Sequence, residues 1–500
     1  MAAKGAYAMI AGKLDFLLKL TDTSNSALGR ALGFDASYIS RIRSGKRGLP
    51  RDRFFLEPAA AYFAERLQAN PLRKNAAAEA ICPGRSWPET AAGAEKLLLG
   101  WLSQNERQDM ERVERLLNGL AAARLLWPEA GLIPPGEAPS SAAFYYGTEG
   151  KREAVLRLLS DYCAAEAPAE LLIYSDEKVD WMAGDAAYTR RWSEAVLRLI
   201  ERGARIRIVH TLSRNLGVML DGLRKWAPLY LTGAVETRYY PKPRDGVFRR
   251  TLIIARDFGA VTATVVGEGD GLNLLLTEPA AVAALTGEFE DYYALCRPLI
   301  QIYGNDKREE VWEMLHAFEE APHPRIVAQR LPLGSSLPEE VIASFGRQSS
   351  RRTEDFLRFA SETMYAHLNA GLRITELLSL PPAEDVYAGR VSTPLSDYVG
   401  AELRYTPAEL KAQLRRITEL LRSYENYRVV LTDGIPDGTM LYAKEGAGCI
   451  FARLKEPATV FYASEERLSA AFWAYLQQFA DMNQSRELVI RHLEDYMEKL

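Results

Sequence analysis

Two stretches far apart in this 500-residue chain carry the same pattern, and that repetition limits the fold more than any figure of composition. RWSEAVLRLIERGARIRIVHTL (191–212) and RFASETMYAHLNAGLRITELLSL (358–380) each read as a helix, a glycine stop and an Arg-Ile strand. The match continues downstream. RDG (244–246), LIIARDFGAVTA, a strand and a helix ending FEDYY parallel PDG (436–438), LYAKEGAGCIFA, the strand TVFYAS and a helix ending AYLQQF. Residues of roughly 145–300 and 320–480 are therefore expected to be two copies of one unit.

Within the copies, strand and helix signals alternate. LLIYSD (171–176), RIRIVH (205–210), 235–240, 250–255, 260–266 and LNLLLT (272–277) read as strands. Residues 151–163, 187–202, 216–225 and 279–295 read as helices. This predicts an α/β body with a mixed sheet covered on both faces. GEGDG (267–271) sits between two strands, so it reads as a hairpin turn and not as a phosphate loop. The tail 484–499 adds a last helix.

The beginning of the chain has a different character. SNSALGRALGFDASYISRIRSGKR (24–47) lays out two short helices around a tight turn. Ser24 and Asn25 offer a cap, Leu28 and Leu32 share a face, Gly33 ends the first helix and Asp35 caps the second. Tyr38, Ile39 and Ile42 turn inward, leaving Ala36, Ser37, Ser40 and Arg41 outside. The spacing of Leu28, Gly33, Ile39 and Gly45 resembles the helix-turn-helix of phage-repressor-like (lambda-repressor-like, XRE-type) regulators. The resemblance implies an all-α DNA-binding domain over 1–70. It also implies base-reading positions at Ala36, Ser37, Tyr38 and Arg41, and phosphate contacts from Asn25, Lys46 and Arg47. Two residues depart from that pattern. Gly29 stands where alanine is common, at an expected loss of about 1 kcal/mol of helix stability. Arg43 stands where an acid is common, adding charge toward DNA or solvent.

Charge agrees with a DNA-directed head. Residues 1–75 hold thirteen Lys and Arg against six Asp and Glu, giving +7; as the whole chain carries −4, the rest carries −11. Residues 71–143 are expected to be a helical linker. Met110, Val113, Leu117 and Leu120 form a seam suited to self-association, or to packing on the same chain. No apolar run is long enough to span a membrane, and no signal peptide is evident at the start. The four scattered cysteines read as buried thiols of a cytosolic protein, and no metal or cofactor pattern stands out.

The body, split as lobes 144–305 and 306–500, resembles the phospholipase-D-like fold in its element order. That chemistry needs a histidine, a lysine two residues on and an aspartate five beyond. Phe248, Arg250 and Ala255 hold those places in the first lobe, and LYAKEG in the second has no histidine. The resemblance thus implies a body without catalytic residues that senses an effector, small molecule or protein. His210, Arg214 and Arg250 are the candidate contacts. His210 reads more readily as a satisfied strand-end residue, and the basic cluster around Arg250 as a solvated edge with salt bridges between lobes. The expected protein is a homodimeric regulator binding double-stranded DNA. The rivals are a phosphodiesterase or nuclease targeted by the helix-turn-helix, and a DNA-binding scaffold or defence component.

Overall fold

The computed structural model describes residues 3–44, 55–82, 87–102, 106–123, 141–166, 168–177, 180–210, 216–241, 247–267, 271–304, 307–393, 396, 402–434, 438–454, 458–482 and 484–500. Seven helices come first: α1 (Ala3–Leu20), α2 (Asn25–Leu32), α3 (Ala36–Arg43), α4 (Leu56–Gln68), α5 (Pro71–Ile81), α6 (Ala91–Leu102) and α7 (Glu106–Ala122). Pro71 does not interrupt the helical head. It occupies the first turn of α5, where its missing N–H costs nothing, behind an Asn70 cap. The head's apolar core accordingly runs from Leu14, Leu28 and Ile39 through Phe63 to Ala94, Leu98 and Leu102. Lys13 ties its two ends, donating to the Trp101 carbonyl at 2.8 Å.

The body is one mixed sheet of fourteen strands. The first seven are β1 (Ala142–Tyr146), β2 (Glu170–Ser175), β3 (Arg205–His210), β4 (Val235–Tyr239), β5 (Phe248–Ala255), β6 (Gly259–Val266) and β7 (Leu272–Leu276). The second seven are β8 (Arg297–Tyr303), β9 (Arg325–Gln329), β10 (Ile374–Leu378), β11 (Tyr427–Leu431), β12 (Thr439–Lys444), β13 (Gly448–Arg453) and β14 (Thr459–Ala463). Their order across the sheet is β1-β7-β6-β5-β2-β3-β4 followed by β8-β14-β13-β12-β9-β10-β11, the same path taken twice. In each half a parallel trio (β2-β3-β4, β9-β10-β11) meets an antiparallel meander. The register matches too: Leu171 faces Ala255 in the first half, and Arg325 faces Lys444 in the second.

Small conformational details repeat with the topology. Gly203 and Gly371 both close a helix with positive φ, 92° and 78°. In both, the glycine N–H and the next N–H return to carbonyls of the last helical turn, the second reaching Leu199 and His367 at 2.9 Å. At matched hairpin turns Asp257 and Gly446 adopt φ of 59° and 74°.

β8 joins the halves, pairing antiparallel with β4 on one side and β14 on the other. Thr237 stitches this seam, donating to the Ile300 carbonyl at 2.9 Å. Because β8 runs against β4, the second half is inverted relative to the first. One core therefore holds Ile206 and Ile208 of the first half with Leu377 and Ala443 from the opposite face of the second. That shared core also takes up α7. Val113, Leu116, Leu117 and Leu120 are buried in it, with Met110 packed alongside. The seam read as a self-association stripe is thus consumed within the chain, because the junction offers an apolar sheet face next to the helix Leu216–Tyr230. β11 ends the sheet, and the Gln484 amide meets both backbone groups of Leu431, at 3.0 and 2.7 Å. None of the four cysteines forms a disulfide, and all four are buried. No helix among the described residues is long and apolar enough to cross a membrane.

The second half carries charge in its interior. Arg325, fully buried at the start of β9, donates to Glu319 at 2.6 Å, to the Tyr442 hydroxyl at 2.9 Å and to Ser335 at 3.3 Å. Glu376 on β10 accepts from the Leu333 N–H at 2.9 Å and from the Tyr427 hydroxyl at 2.5 Å. Burial pushes the Glu376 carboxyl up and pulls the Lys444 ammonium down to about 8. Removing one partner strands the other in a dry interior. Arg325→Ala is expected to lower stability by about 3–5 kcal/mol in urea denaturation. Arg358→Ala, which breaks a surface pair with Glu339 and Glu354, should leave the urea midpoint nearly unchanged.

Candidate nucleic-acid interface

The α2–turn–α3 segment forms from the caps its sequence offers. The Ser24 hydroxyl accepts from the Ala27 N–H at 3.1 Å, and the Asp35 carboxylate accepts from the Ser37 N–H at 2.7 Å. That Ser37 contact holds the Asp35 carboxyl below its usual range. Gly33 supplies the left-handed residue at φ 72°, and Phe34 N–H returns to the Gly29 carbonyl at 2.8 Å. Leu28, Ile39 and Ile42 are fully buried against Leu14, Leu17 and Phe55.

The close turn explains Gly29, which sequence reasoning treated as a weak point in the helix. A Cβ there would lie 2.6 Å from the Phe34 carbonyl oxygen. Glycine lets the chain fold back onto α2, so the residue makes the turn rather than merely weakening the helix. Arg43 is a second correction. Its guanidinium does not project toward DNA or solvent; it reaches back to Asp15 on α1 at 2.6 Å and to the Asn25 side-chain oxygen at 3.3 Å. Asp15 also accepts from Lys19 at 2.7 Å. Partial burial raises the Asp15 carboxyl, but the Lys19 and Arg43 contacts outweigh it and hold it low. An acid at position 43 would repel Asp15, and arginine instead locks α3 onto α1.

What remains outside is a short polar strip on α3. Ser37, Ser40 and Arg41 are exposed, and Ala36 is half-buried. Arg41 folds along the strip, donating to the Ser37 carbonyl at 3.2 Å and to its hydroxyl at 3.0 Å. Tyr38 lies half-buried, its ring stacked on Phe34 at 4.9 Å. Asn25 stands at the start of α2, engaged by Arg43. Lys46 and Arg47 lie outside the described residues. The head rests on the body through α1, which packs against the helix Glu466–Ala480 and leaves the strip on α3 uncovered.

Of the three effector candidates, the two described residues, His210 and Arg250, engage separate partners. His210 sits at the end of β3, enclosed by Trp226 (ring centroids 5.8 Å apart) and Tyr230, whose hydroxyl lies 3.3 Å from Nε2. Desolvation lowers its pKa to about 4, so the ring, half-buried at the strand end, is neutral. Arg250 is occupied by Glu288, which it grips with both terminal nitrogens. Its basic neighbour Arg256 is held by Glu170 and Glu290, the latter also bidentate to Arg207 at 2.7 and 2.8 Å. The cluster around Arg250 is therefore an ion-paired surface, as its acidic partners on the helix Pro279–Ala294 dictate. Arg214 lies outside the described residues. Sequence reasoning missed the buried Arg325, Glu376 and Lys444, although charges inside otherwise apolar strands were a visible signal.

No protein-family model and no curated protein sequence matches this chain. Among solved structures, TrmBL2, described as an archaeal chromatin protein with a novel mode of DNA binding, aligns over 49% of this chain and 94% of its own. The identity is 14% and the TM-score 0.24. Polyphosphate kinase from Porphyromonas gingivalis aligns over 72% of this chain and 57% of its own, at 11% identity and a TM-score of 0.24. At that level of overlap neither likeness bears on function.

Two outcomes follow from this geometry. Helix propensity alone would have Gly29→Ala stabilise the head by about 1 kcal/mol; the Phe34 contact reverses the sign, and a lower urea midpoint for the variant is expected. For His210, the unfolded ring titrates near 6.5 and the folded one near 4. Between those values the unfolded chain binds more protons, so stability falls as pH drops from 6.5 toward 4. His210→Gln should flatten that decline in denaturation curves taken across the window. His316 and His367, whose pKa values burial also lowers, should keep part of it.

Proposed function

We propose that this chain is a DNA-binding transcriptional regulator, reading operator DNA with the exposed strip of α3 and sensing an effector through a non-catalytic body. The observation that carries the reading is the α2–turn–α3 unit. Its caps, close turn and buried triad fix α3, and they leave Ser37, Ser40 and Arg41 unburied at the outer surface of a basic head. Ala36, Ser37 and Arg41 would meet base edges, with Tyr38 at the margin. Asn25, Lys46 and Arg47 would meet phosphates. Arg41 is the one long donor on the strip, and it would carry most of the direct readout.

The twice-traced strand order, the paired glycine closures and the matched hairpins support a duplicated body of the phospholipase-D-like kind. Phe248, Arg250 and Ala255 hold the catalytic places of such a fold, and Phe248 can neither attack phosphorus nor hold a proton. This favours a sensor over a phosphodiesterase. A homodimer would supply two heads, and with the 110–120 stripe used internally the copies would meet elsewhere. Effector binding would act by favouring one spacing of the heads over another.

Arg41→Ala is expected to weaken binding to a selected operator about 10- to 100-fold in gel-shift titrations, in line with about 1–3 kcal/mol for a bidentate contact to guanine. Non-specific binding at low salt should change little. Operator affinity equal to wild type would remove the DNA-reading assignment, and turnover of a phosphodiester substrate by the full chain would favour the enzyme.

A further inference from the structure

We infer that the second half of the body holds a binding site for a small, neutral, largely apolar molecule with one hydrogen-bonding group. The site is a cavity of about 80 Å³ between the outer face of strands β12–β14 and the helices Arg308–Glu320, Glu339–Gln348 and Arg351–Asn369. At about 10–15 Å³ per water-sized group, it has room for roughly five to eight such groups. Its walls are Phe345, Phe356, Ile450 and Val460, with Met440 at one side.

One polar group faces this space without a partner. Gln329, at the end of β9, is 3% exposed and lines the cavity, yet its side-chain amide makes no hydrogen bond among the described residues. The amide opens onto the cavity, where it offers a donor and an acceptor to a bound molecule. The other polar groups of the wall are engaged: Glu319 and the Tyr442 hydroxyl are both held by Arg325, and the Tyr405 hydroxyl donates to Gln413 at 2.5 Å. Since the carboxylate is already paired with Arg325 and no free cation lines the site among the described residues, a charged ligand would be left without a counterion there.

The first half shows what the same place looks like when closed. The shared register puts Ser175 and Thr251 where the second half has Gln329 and Met440. There the two hydroxyls bond each other at 2.8 Å, and Thr251 donates to Glu177 at 2.7 Å. One copy satisfies its polar groups internally. The other replaces a short hydroxyl with a long amide beside open apolar space, which is the arrangement a ligand with a single donor or acceptor completes.

The site also touches a turn held by the buried polar network. Leu333, Gly334, Ser335 and Leu337 form one wall, within a short 3₁₀ turn positioned by Arg325, Glu376 and Gln413. As the seat of the effector this rests on the regulator reading above; the site itself does not, and the test uses no DNA, so the two can fail separately.

Thermal unfolding of the full chain would be followed with benzene, phenol and benzoate. Phenol should raise the melting temperature saturably, benzene less, and benzoate not at all. Gln329→Leu should keep the benzene effect and weaken phenol binding about tenfold. Ala360→Leu, which plugs the cavity, should abolish both; if that variant does not fold, Gln329→Leu decides alone. No shift with phenol or benzene would overturn the inference. So would a phenol effect indifferent to Gln329→Leu, or a crystal with phenol showing only water beside Gln329.

Discussion

The body depends on β8 being shared. It occupies in the second half the place that β1 has in the first, and it also completes the ladder on the far side of β4. Two seven-strand units that could have packed face to face are instead hydrogen-bonded edge to edge. The antiparallel sense of the β4–β8 pairing then forces the inversion, and the inversion brings unlike faces into one core. From that follow the position of α7, the burial of its apolar stripe and the way the head is carried. An exposed edge at β4 would otherwise be an aggregation hazard, so the seam removes a liability while it fixes the architecture.

The head is joined to this junction by contiguous packing contacts. α1 lies on the helix Glu466–Ala480, and α7 lies between that helix and Leu216–Tyr230. Arg453 at the end of β13 donates to the Ala123 carbonyl just beyond α7, at 2.9 Å. The helix Glu466–Ala480 also lies over β12 and β13, the strands whose other face lines the apolar cavity. A change in the packing of those strands thus has a short route of contiguous contacts to α1, and so to α3 through the Arg43–Asp15 pair.

Much of this was legible beforehand, for physical reasons that can be named. Strand period, glycine stops and the repeated Arg-Ile pattern located β2 to β7 of the first unit, because local chain stiffness and burial leave a strong trace, while the short edge strand β1 was missed. The caps of α2 and α3 were readable because Ser24, Asp35 and Gly33 act on backbone groups within three residues. What escaped depends on distance in sequence. Arg43 meets Asp15 across 28 positions, Gly29 is explained by a carbonyl of the turn, and Arg250 finds Glu288 on a helix that sequence alone could not orient. The stripe on α7 was seen but its partner was not, since an apolar face on a helix does not say which surface will cover it. Gln329 escaped entirely, because an amide with nothing to bond is a property of the space around it.

The β11 end of the sheet is covered by the chain's own tail, and this bears on how the duplication could be tolerated. An operator that places one unit beside the next, inverted and hydrogen-bonded, has no natural stopping point; applied again between molecules it builds a fibre. The tail prevents this at β11. Gln484 mimics a neighbouring strand by offering one acceptor and one donor to Leu431, while Arg428 and Arg486 tie the same segment down through the Met482 and Tyr427 carbonyls. The residues after the last repeat therefore act as a terminator, converting an open-ended tandem ladder into a molecule of finite size.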